Sequence, residues 1–124
     1  PPLNPNTSFP ILYARLVYRD YDFLEDQLVG NYASENVYCY IIDRKAPKSF
    51  HDRIRKLAEC LSNVVVPEFD LEMDSAGHNQ NEAHLRCMNA TRDRRWEYAI
   101  LLQNHDMLIK THREITEILT IYGG

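Results

Sequence analysis

The chain has 124 residues, which suits one domain built around a single hydrophobic core. Hydrophobic residues make up 44% and charged residues 26%, an ordinary globular balance, and the net charge of −4 gives no long-range attraction to nucleic acid or to an anionic membrane. No apolar run approaches the roughly 20 residues that span a bilayer, and the opening PPLNPN is not a signal peptide, so any membrane anchor is expected upstream.

The first predicted elements alternate between strand and helix. Residues 1–10 are polar and proline-rich and predict a linker that leads into one domain over residues 11–124. The segment ILYARLVY, residues 11–18, predicts a strand covered on both faces. Asp20 is expected to cap a helix that runs to about Tyr32.

A second strand is predicted over residues 37–43, because this segment is rich in β-branched and aromatic residues. It ends at a charged tip, Asp43-Arg44-Lys45. The later predicted elements are a helix that opens on a capping box at Ser49-x-x-Asp52, a short strand over residues 64–66, a helix from about residue 79 to 92, a strand over residues 96–103, and a last helix that opens on a capping box at Thr111-x-x-Glu114.

This order predicts an α/β fold of alternating β-α units, with a mostly parallel sheet and helices on both faces. In such sheets, ligands bind just past the carboxyl ends of the strands. Asp43-Arg44-Lys45 and His105-Asp106 both follow predicted strands, so we expect a binding site at this edge. The alternatives are ordinary ones: Asp43 could belong to a solvated turn that opens the next helix, and His105 to a strand-end turn.

Several common nucleotide and hydrolase motifs are absent. The chain has four glycines, and G-x-G-x-x-G, G-x-x-x-x-G-K-[ST] and G-x-S-x-G do not occur in it. A Rossmann dinucleotide enzyme, a P-loop enzyme and an α/β-hydrolase are therefore all disfavoured.

A metal site is not expected either. Histidines cluster late in the chain, with two aspartates nearby, but His78 and His84 are six residues apart and would face different sides of a shared helix. The other members of this cluster are Asp74, His105, Asp106 and His112.

Three cysteines, Cys39, Cys60 and Cys87, fit no C-x-x-C motif. The odd number leaves at least one of them unpaired within the chain, and the simplest interpretation is three buried thiols. N-x-[ST] sequons begin at Asn6 and Asn89.

Taken together, three groups of residues resemble the signatures of one known family. The first joins Asn36-Val37-Tyr38-Cys39 and Asp43-Arg44-Lys45 to Leu57-Ala58-Glu59-Cys60 and Asn63-Val64. The second is Leu85-Arg86-Cys87-Met88. The third joins Trp96-Glu97-Tyr98 to Asp106-Met107-Leu108-Ile109-Lys110-Thr111. The chain is similar, over nearly all its length, to the core-2/I-branching β-1,6-N-acetylglucosaminyltransferases, and the wording of its motifs in amino acids looks most like that of nematode members.

The resemblance implies the nucleotide-binding half of a GT-A-like glycosyltransferase fold, about the first half of a catalytic domain. It implies a Golgi type II membrane enzyme, facing the lumen, that transfers a sugar with inversion and without a metal cofactor. The donor would be a UDP-sugar, usually UDP-N-acetylglucosamine, and the acceptor a glycan. The general base and the cationic residues that steady the departing UDP would lie outside this chain, so the isolated fragment is expected to be inactive.

Site roles follow from the same resemblance. Asp43 matches an aspartate that contacts the uridine, with help from Lys45 or Arg44, and Asp106, with His105, would lie where donor and acceptor meet. Cys39 and Cys87 match a disulfide pair, Cys60 matches a cysteine whose partner lies upstream, and N-glycosylation at Asn6 and Asn89 fits a lumenal compartment. The chain departs from the family at His105, where a small residue or cysteine is usual, at Met107-Leu108, where Phe/Tyr-Pro is usual, and near residues 74–79, where a common tryptophan is absent.

Two other functions remain open from the sequence. One is a degenerate transferase that binds nucleotide-sugar or glycan without transfer. The other is a cytosolic α/β nucleotide-binding module, which free thiols and unused sequons would favour.

Overall fold

The computed structural model describes residues 10–72 and 79–107. Within them the elements are β1 (Ile11–Val17), α1 (Tyr21–Asn31), β2 (Val37–Ile42), α2 (Lys48–Cys60), β3 (Val64–Val65), α3 (Gln80–Ala90) and β4 (Tyr98–Leu102). The predicted β-α alternation is confirmed over this part of the chain. The predicted last helix and residues 1–9 of the predicted linker lie outside the described residues.

The strands form one parallel sheet in the order β3-β2-β1-β4. β1 lies between β2 and β4, so Leu12 pairs with Val37 on one side and Arg15 pairs with Leu102 on the other. The chain therefore adds strands outward from β1 in one direction and then crosses to its other side for β4. This reversal of direction places the carboxyl ends of β1 and β4 side by side.

Helices cover both faces of the sheet, as the sequence predicts. On one face, α1 and α2 pack Leu24, Leu28, Phe50 and Ile54 against β1 and β2. On the other face, Ala83 and Cys87 of α3 pack against the opposite side of the same strands. Every residue of β1 and β2 is consequently buried, which explains why both strands read as nearly continuous apolar runs.

The helix starts differ from the predicted caps. α2 begins at Lys48, because the carbonyl of Pro47 already accepts the backbone N–H groups of Phe50 and His51. The predicted capping box is therefore wrong: Ser49 lies inside the helix, and Asp52 pairs with Lys48 at 2.8 Å. Asp20 does stand at the start of α1, but in a left-handed conformation and without a capping hydrogen bond from its side chain.

Candidate functional site

The carboxyl edge of the sheet is where this strand order predicts a ligand, because β1 is the point at which the order reverses. Three segments meet at this edge. Tyr18-Arg19-Asp20 follows β1, Asp43-Arg44-Lys45 follows β2, and Asn104-His105-Asp106 follows β4 by one residue. The predicted site residues thus do share one edge, although they divide between two sides of β1.

Asp43 is the buried member of the predicted nucleotide group, with 5% of its surface exposed. Its backbone N–H donates to the carbonyl of Val17 at 2.9 Å, which ties the tip of β2 to the end of β1. Its Oδ1 accepts the backbone N–H of Lys45, also at 2.9 Å, and its carbonyl accepts the N–H of Ala46. Asp43 therefore closes the turn that leads to α2, as the turn interpretation expects, but the residue is buried rather than solvated. Its carboxylate is fixed in place at the carboxyl edge of the sheet.

Arg44 and Lys45 are exposed, and Arg44 contacts the segment that follows β3. Its Nη2 donates to Oε1 of Glu72 at 2.7 Å, and its backbone N–H donates to the carbonyl of Leu71. The hydrogen bond between the Arg44 and Glu72 side chains raises the pKa of Arg44 and lowers that of Glu72. Arg44 thus holds the segment after β3 against the tip of β2.

His105 joins the loop after β4 to the start of α1. Its Nε2 lies 2.6 Å from Oδ2 of Asp20, and its ring contacts the rings of Tyr18 and Phe23 with centroid separations of 6.1 and 5.5 Å. Asp20, which pairs with His105, has a left-handed backbone conformation, and aspartate tolerates this conformation. His105 is therefore more than a strand-end turn, since it links the two sides of the strand-order reversal.

Asp106 folds back on its own turn. Its Oδ2 accepts the backbone N–H of Gln103 at 2.8 Å, and its own N–H donates to the carbonyl of Gln103. Asp106 is exposed, as is Met107 beside it. The arrangement gives the loop after β4 a fixed shape and leaves the Asp106 side chain at the surface of the carboxyl edge.

Asn104, which the sequence did not single out, fills the gap between the ends of β1 and β4. It is 3% exposed. Its Oδ1 accepts the backbone N–H groups of Tyr18 and Arg19 at 2.6 and 3.2 Å, and its Nδ2 donates to the carbonyl of Arg19 at 3.0 Å. The position of an asparagine directly past a strand was the available signal, but only the sheet order shows which strand it meets.

Arg15 is a second residue that sequence reasoning missed. It lies inside β1 and is 5% exposed. Its Nη1 donates to the carbonyl oxygens of Gln103, Asn104 and Asp106 at 3.2, 3.1 and 2.7 Å. Burial lowers the pKa of Arg15, while the nearby Tyr40 and Asp106 act in the opposite direction.

A depression of about 240 Å³ opens beside this edge, between the starts of α1 and α2. Its lining combines aromatic rings and cations. Arg53 lies over the ring of Tyr21 at 3.9 Å from the centroid, and Arg19 lies over Tyr18 at 5.5 Å. The full lining is Tyr18, Arg19, Asp20, Tyr21, Pro47, Ser49, Phe50 and Arg53.

None of the site residues predicted from the sequence lines this depression, although His105 contacts two residues that do, Tyr18 and Asp20. Asp43 was selected because ligands bind just past the carboxyl ends of parallel strands, and Tyr18 and Arg19, which directly follow β1, meet the same condition. Aromatic faces and guanidinium groups suit a planar ring and phosphate oxygens, respectively. The volume is below the roughly 300–1,000 Å³ of typical small-molecule pockets, so the depression suits part of a larger ligand.

The cysteines divide into a pair and a single thiol. Cys39 of β2 and Cys87 of α3 form a disulfide with a Cα–Cα distance of 6.0 Å, which is the pair that the family resemblance implies. Cys60, at the end of α2, is exposed and unpaired within the described residues, and a partner upstream of this chain stays a prediction. The simpler interpretation of three buried thiols is therefore wrong.

The remaining predicted positions are partly described. Asn89 is exposed in the last turn of α3, while Thr91 of the same sequon is buried and donates to the carbonyl of Cys87 at 2.8 Å. Asn6, Asp74, His78 and His112 lie outside the described residues. In residues 10–72 and 79–107, no three His, Cys, Asp or Glu side chains are grouped so that they could hold a metal ion.

None of the helices in the described ranges has the length and apolarity needed to cross a membrane.

Comparison with known proteins places these residues in context. Residues 11–124 match the model of the family described as Core-2/I-Branching enzyme. The rat β-1,3-galactosyl-O-glycosyl-glycoprotein β-1,6-N-acetylglucosaminyltransferase 3 is 27% identical over 119 residues, which is 94% of this chain and 27% of the rat protein. The human N-acetyllactosaminide β-1,6-N-acetylglucosaminyl-transferase is also 27% identical, over 94% of this chain and 30% of its own length.

A third relative is the human probable β-1,3-galactosyl-O-glycosyl-glycoprotein β-1,6-N-acetylglucosaminyltransferase 7, 29% identical over 110 residues. That match covers 87% of this chain and 26% of the human protein. The chain thus spans between 26% and 30% of the length of these three relatives.

Proposed function

The chain belongs to the core-2/I-branching enzyme family, and from that membership we propose that the full-length protein transfers N-acetylglucosamine from a UDP-sugar to a glycan acceptor. The family is one of glycosyltransferases, and the parallel sheet with helices on both faces is consistent with a GT-A-like fold. The observation that carries the proposal is the family match from the first residue of β1 through the carboxyl-edge loop after β4.

In this proposal the described residues hold the nucleotide end of the donor. The depression lined by Tyr18, Tyr21 and Arg53 supports this, because a nucleobase stacks on aromatic rings and a diphosphate pairs with guanidinium groups. Asp43 is buried and fixed at the same edge, where a carboxylate can accept ribose or base hydrogens. Lys45 and Arg44 lie beside it as exposed cations, and Arg44 would have to leave Glu72 to reach a ligand.

The chemical step is assigned to groups outside these residues. A general base takes a proton from the acceptor hydroxyl, and that oxygen attacks the anomeric carbon from the face opposite UDP, with inversion. Cationic side chains, rather than a metal ion, stabilise the charge that develops on the departing diphosphate. Asp106 and His105 lie at the edge where donor and acceptor would meet. We place the protein on the lumenal side of the Golgi, with glycans on Asn6 and Asn89.

The test is transfer of labelled sugar by the full-length protein. UDP-N-acetylglucosamine would be offered with acceptors that carry the structures named in the relatives, a β-1,3-galactosyl O-glycan and an N-acetyllactosamine chain, with and without EDTA. Transfer that EDTA leaves unchanged supports the proposed activity and its independence of a metal, and transfer that EDTA abolishes overturns the metal-free part. UDP binding without transfer would point to a degenerate binder instead. The family match leaves an unrelated cytosolic nucleotide-binding module without support.

A further inference from the structure

A buried arginine inside a central strand requires a reason. Arg15 occupies β1 between Ala14 and Leu16, both fully or almost fully buried, and its own surface is 5% exposed. An apolar residue would suit this position, because removing a guanidinium from water costs several kcal/mol unless its donors are satisfied. Within the described residues, no carboxylate forms an ion pair with Arg15. Its Nη1 donates to the backbone of the loop after β4 instead.

The contacts converge on one nitrogen. Nη1 donates to the carbonyl oxygens of Gln103, Asn104 and Asp106, with the Asp106 carbonyl nearest at 2.7 Å. Nη1 carries two hydrogens, so the three carbonyl oxygens share them. All three carbonyls belong to a stretch of four residues, and each is therefore turned inward toward β1. This leaves the side chains of His105 and Asp106 outward at the carboxyl edge, where both are exposed.

Two other anchors act on the same loop but at different atoms. Asn104 holds the backbone of Tyr18 and Arg19 through its side chain, and His105 contacts Asp20. Both of these fix the loop sideways to the end of β1. Arg15, inside β1, instead contacts the backbone carbonyls of the loop, and so determines which way its peptide groups face.

We propose that Arg15 is a positioning residue, which orients the loop of residues 103–106 through the carbonyls of Gln103, Asn104 and Asp106 so that Asp106 and His105 face the reacting groups. The role in catalysis rests on the proposed transferase function, whereas the effect on the loop does not. In this role Arg15 contacts no substrate. Its contribution is the conformation of the backbone that carries the two side chains.

The test compares Arg15→Met and Arg15→Lys in the full-length protein. Methionine keeps much of the length and apolar bulk but has no donor, and lysine restores a cation that can reach some of the carbonyls. Val17→Ala is the matched control, since Val17 is fully buried on the same face of the same strand. Amide hydrogen exchange is measured over residues 103–107 and, as a reference, over β2.

We expect Arg15→Met to speed exchange over residues 103–107 at least tenfold more than over β2, and Arg15→Lys to reverse part of that effect. Val17→Ala should change both segments by the same factor. Equal acceleration of loop and strand in Arg15→Met would overturn the proposal, because Arg15 would then stabilise only the fold.

Kinetics test the catalytic part. Arg15→Met should lower kcat for sugar transfer at least tenfold while UDP affinity stays within twofold, and Arg15→Lys should recover part of kcat. An unchanged kcat would overturn the role in catalysis. If the parent protein transfers no sugar, the proposed function fails, but the exchange comparison still decides whether Arg15 positions the loop.

Discussion

Oδ1 of Asn104 accepts the backbone N–H of Tyr18 at 2.6 Å, and this hydrogen bond between residues 86 apart in sequence joins the ends of two parallel strands. The gap between such strand ends is where many open α/β sheets receive a ligand. Here a buried amide side chain occupies it. The adjacent space between the starts of α1 and α2 remains open, as the depression beside Tyr18 shows.

The Asn104 contact should therefore be a measurable part of the stability. In Asn104→Ala, the N–H groups of Tyr18 and Arg19 and the carbonyl of Arg19 lose their partner. Unpaired polar groups of this kind cost about 1–3 kcal/mol, so the free energy of unfolding should fall by that amount. Chemical denaturation measures it. Gln103→Ala is the control, because the Gln103 side chain pairs with Gln80 on the exposed surface, and it should cost below about 0.5 kcal/mol. Equal losses in the two variants would contradict the assignment.

The disulfide between Cys39 and Cys87 should stabilise the chain strongly. The bridge closes a loop with a sequence separation of 48 residues, for which the loss of chain entropy in the unfolded state corresponds to about 4 kcal/mol. We expect Cys39→Ala/Cys87→Ala to lose most of that stability. In the 124-residue chain, Cys60→Ser should leave stability almost unchanged, since Cys60 is exposed and unpaired there. Non-reducing peptide mapping checks the linkage directly, and recovery of three free thiols would contradict it.

His84 should make stability depend on pH. Burial lowers the pKa of its ring, a hydrogen bond with the backbone of Leu102 acts in the opposite direction, and its Nε2 has no partner within the described residues. The unfolded chain takes up a proton on this ring near pH 6.5, and the folded chain does so at a lower pH. Between these values the unfolded state binds more protons, so the free energy of unfolding falls as the pH falls from about 6.5.

Denaturation profiles at several pH values between about 7.5 and 5 test this, with His84→Gln compared with the parent protein. The variant should lose part of the decrease in stability toward low pH. Leu85→Gln is the control, because Leu85 is exposed on the same helix and its replacement removes no titratable group. If His84→Gln and the parent protein have parallel profiles, His84 does not carry this dependence.

Much of the fold could be predicted from the sequence, because β1 and β2 are buried on both faces and so read as apolar runs. The position of Asp43 and His105 at the carboxyl edge could be predicted as well, since both follow strands, and ligand binding at that edge stays a prediction. Which strands are neighbours could not, because the crossing of β4 to the far side of β1 leaves no local pattern.

The role of Arg15 could not be predicted for the same reason, since it depends on which strand lies beside β1. Arg15 meets the Gln103 and Asp106 carbonyls across 88 and 91 residues of sequence, so nothing near it in the chain indicates its partners. The helix starts were missed for a local reason, since Pro47 supplies a carbonyl where a side-chain cap was expected at Ser49.

Nucleotide binding should depend on one residue predicted from the sequence and on one that the structure adds. Asp43→Asn removes a buried negative charge at the tip of β2, and we expect UDP to bind more weakly by about 1–3 kcal/mol in the full-length protein. Arg53→Gln removes a cation from the lining of the depression and should weaken UDP about tenfold, which is about 1.4 kcal/mol. Isothermal titration calorimetry with UDP measures both.

Arg55→Gln separates a local effect of Arg53 from a general loss of positive charge on α2. Arg55 lies on the same helix and pairs with Glu68 at 3.1 Å, as Arg53 pairs with Asp22 at 3.2 Å, but Arg55 does not line the depression. Its replacement should leave UDP affinity within twofold. If Arg53→Gln and Arg55→Gln weaken binding equally, the effect is the net charge of the helix and the depression is not the nucleotide site. If Asp43→Asn alone weakens binding, the nucleotide lies against the tip of β2, and the depression beside Tyr18 is left for another part of the substrate.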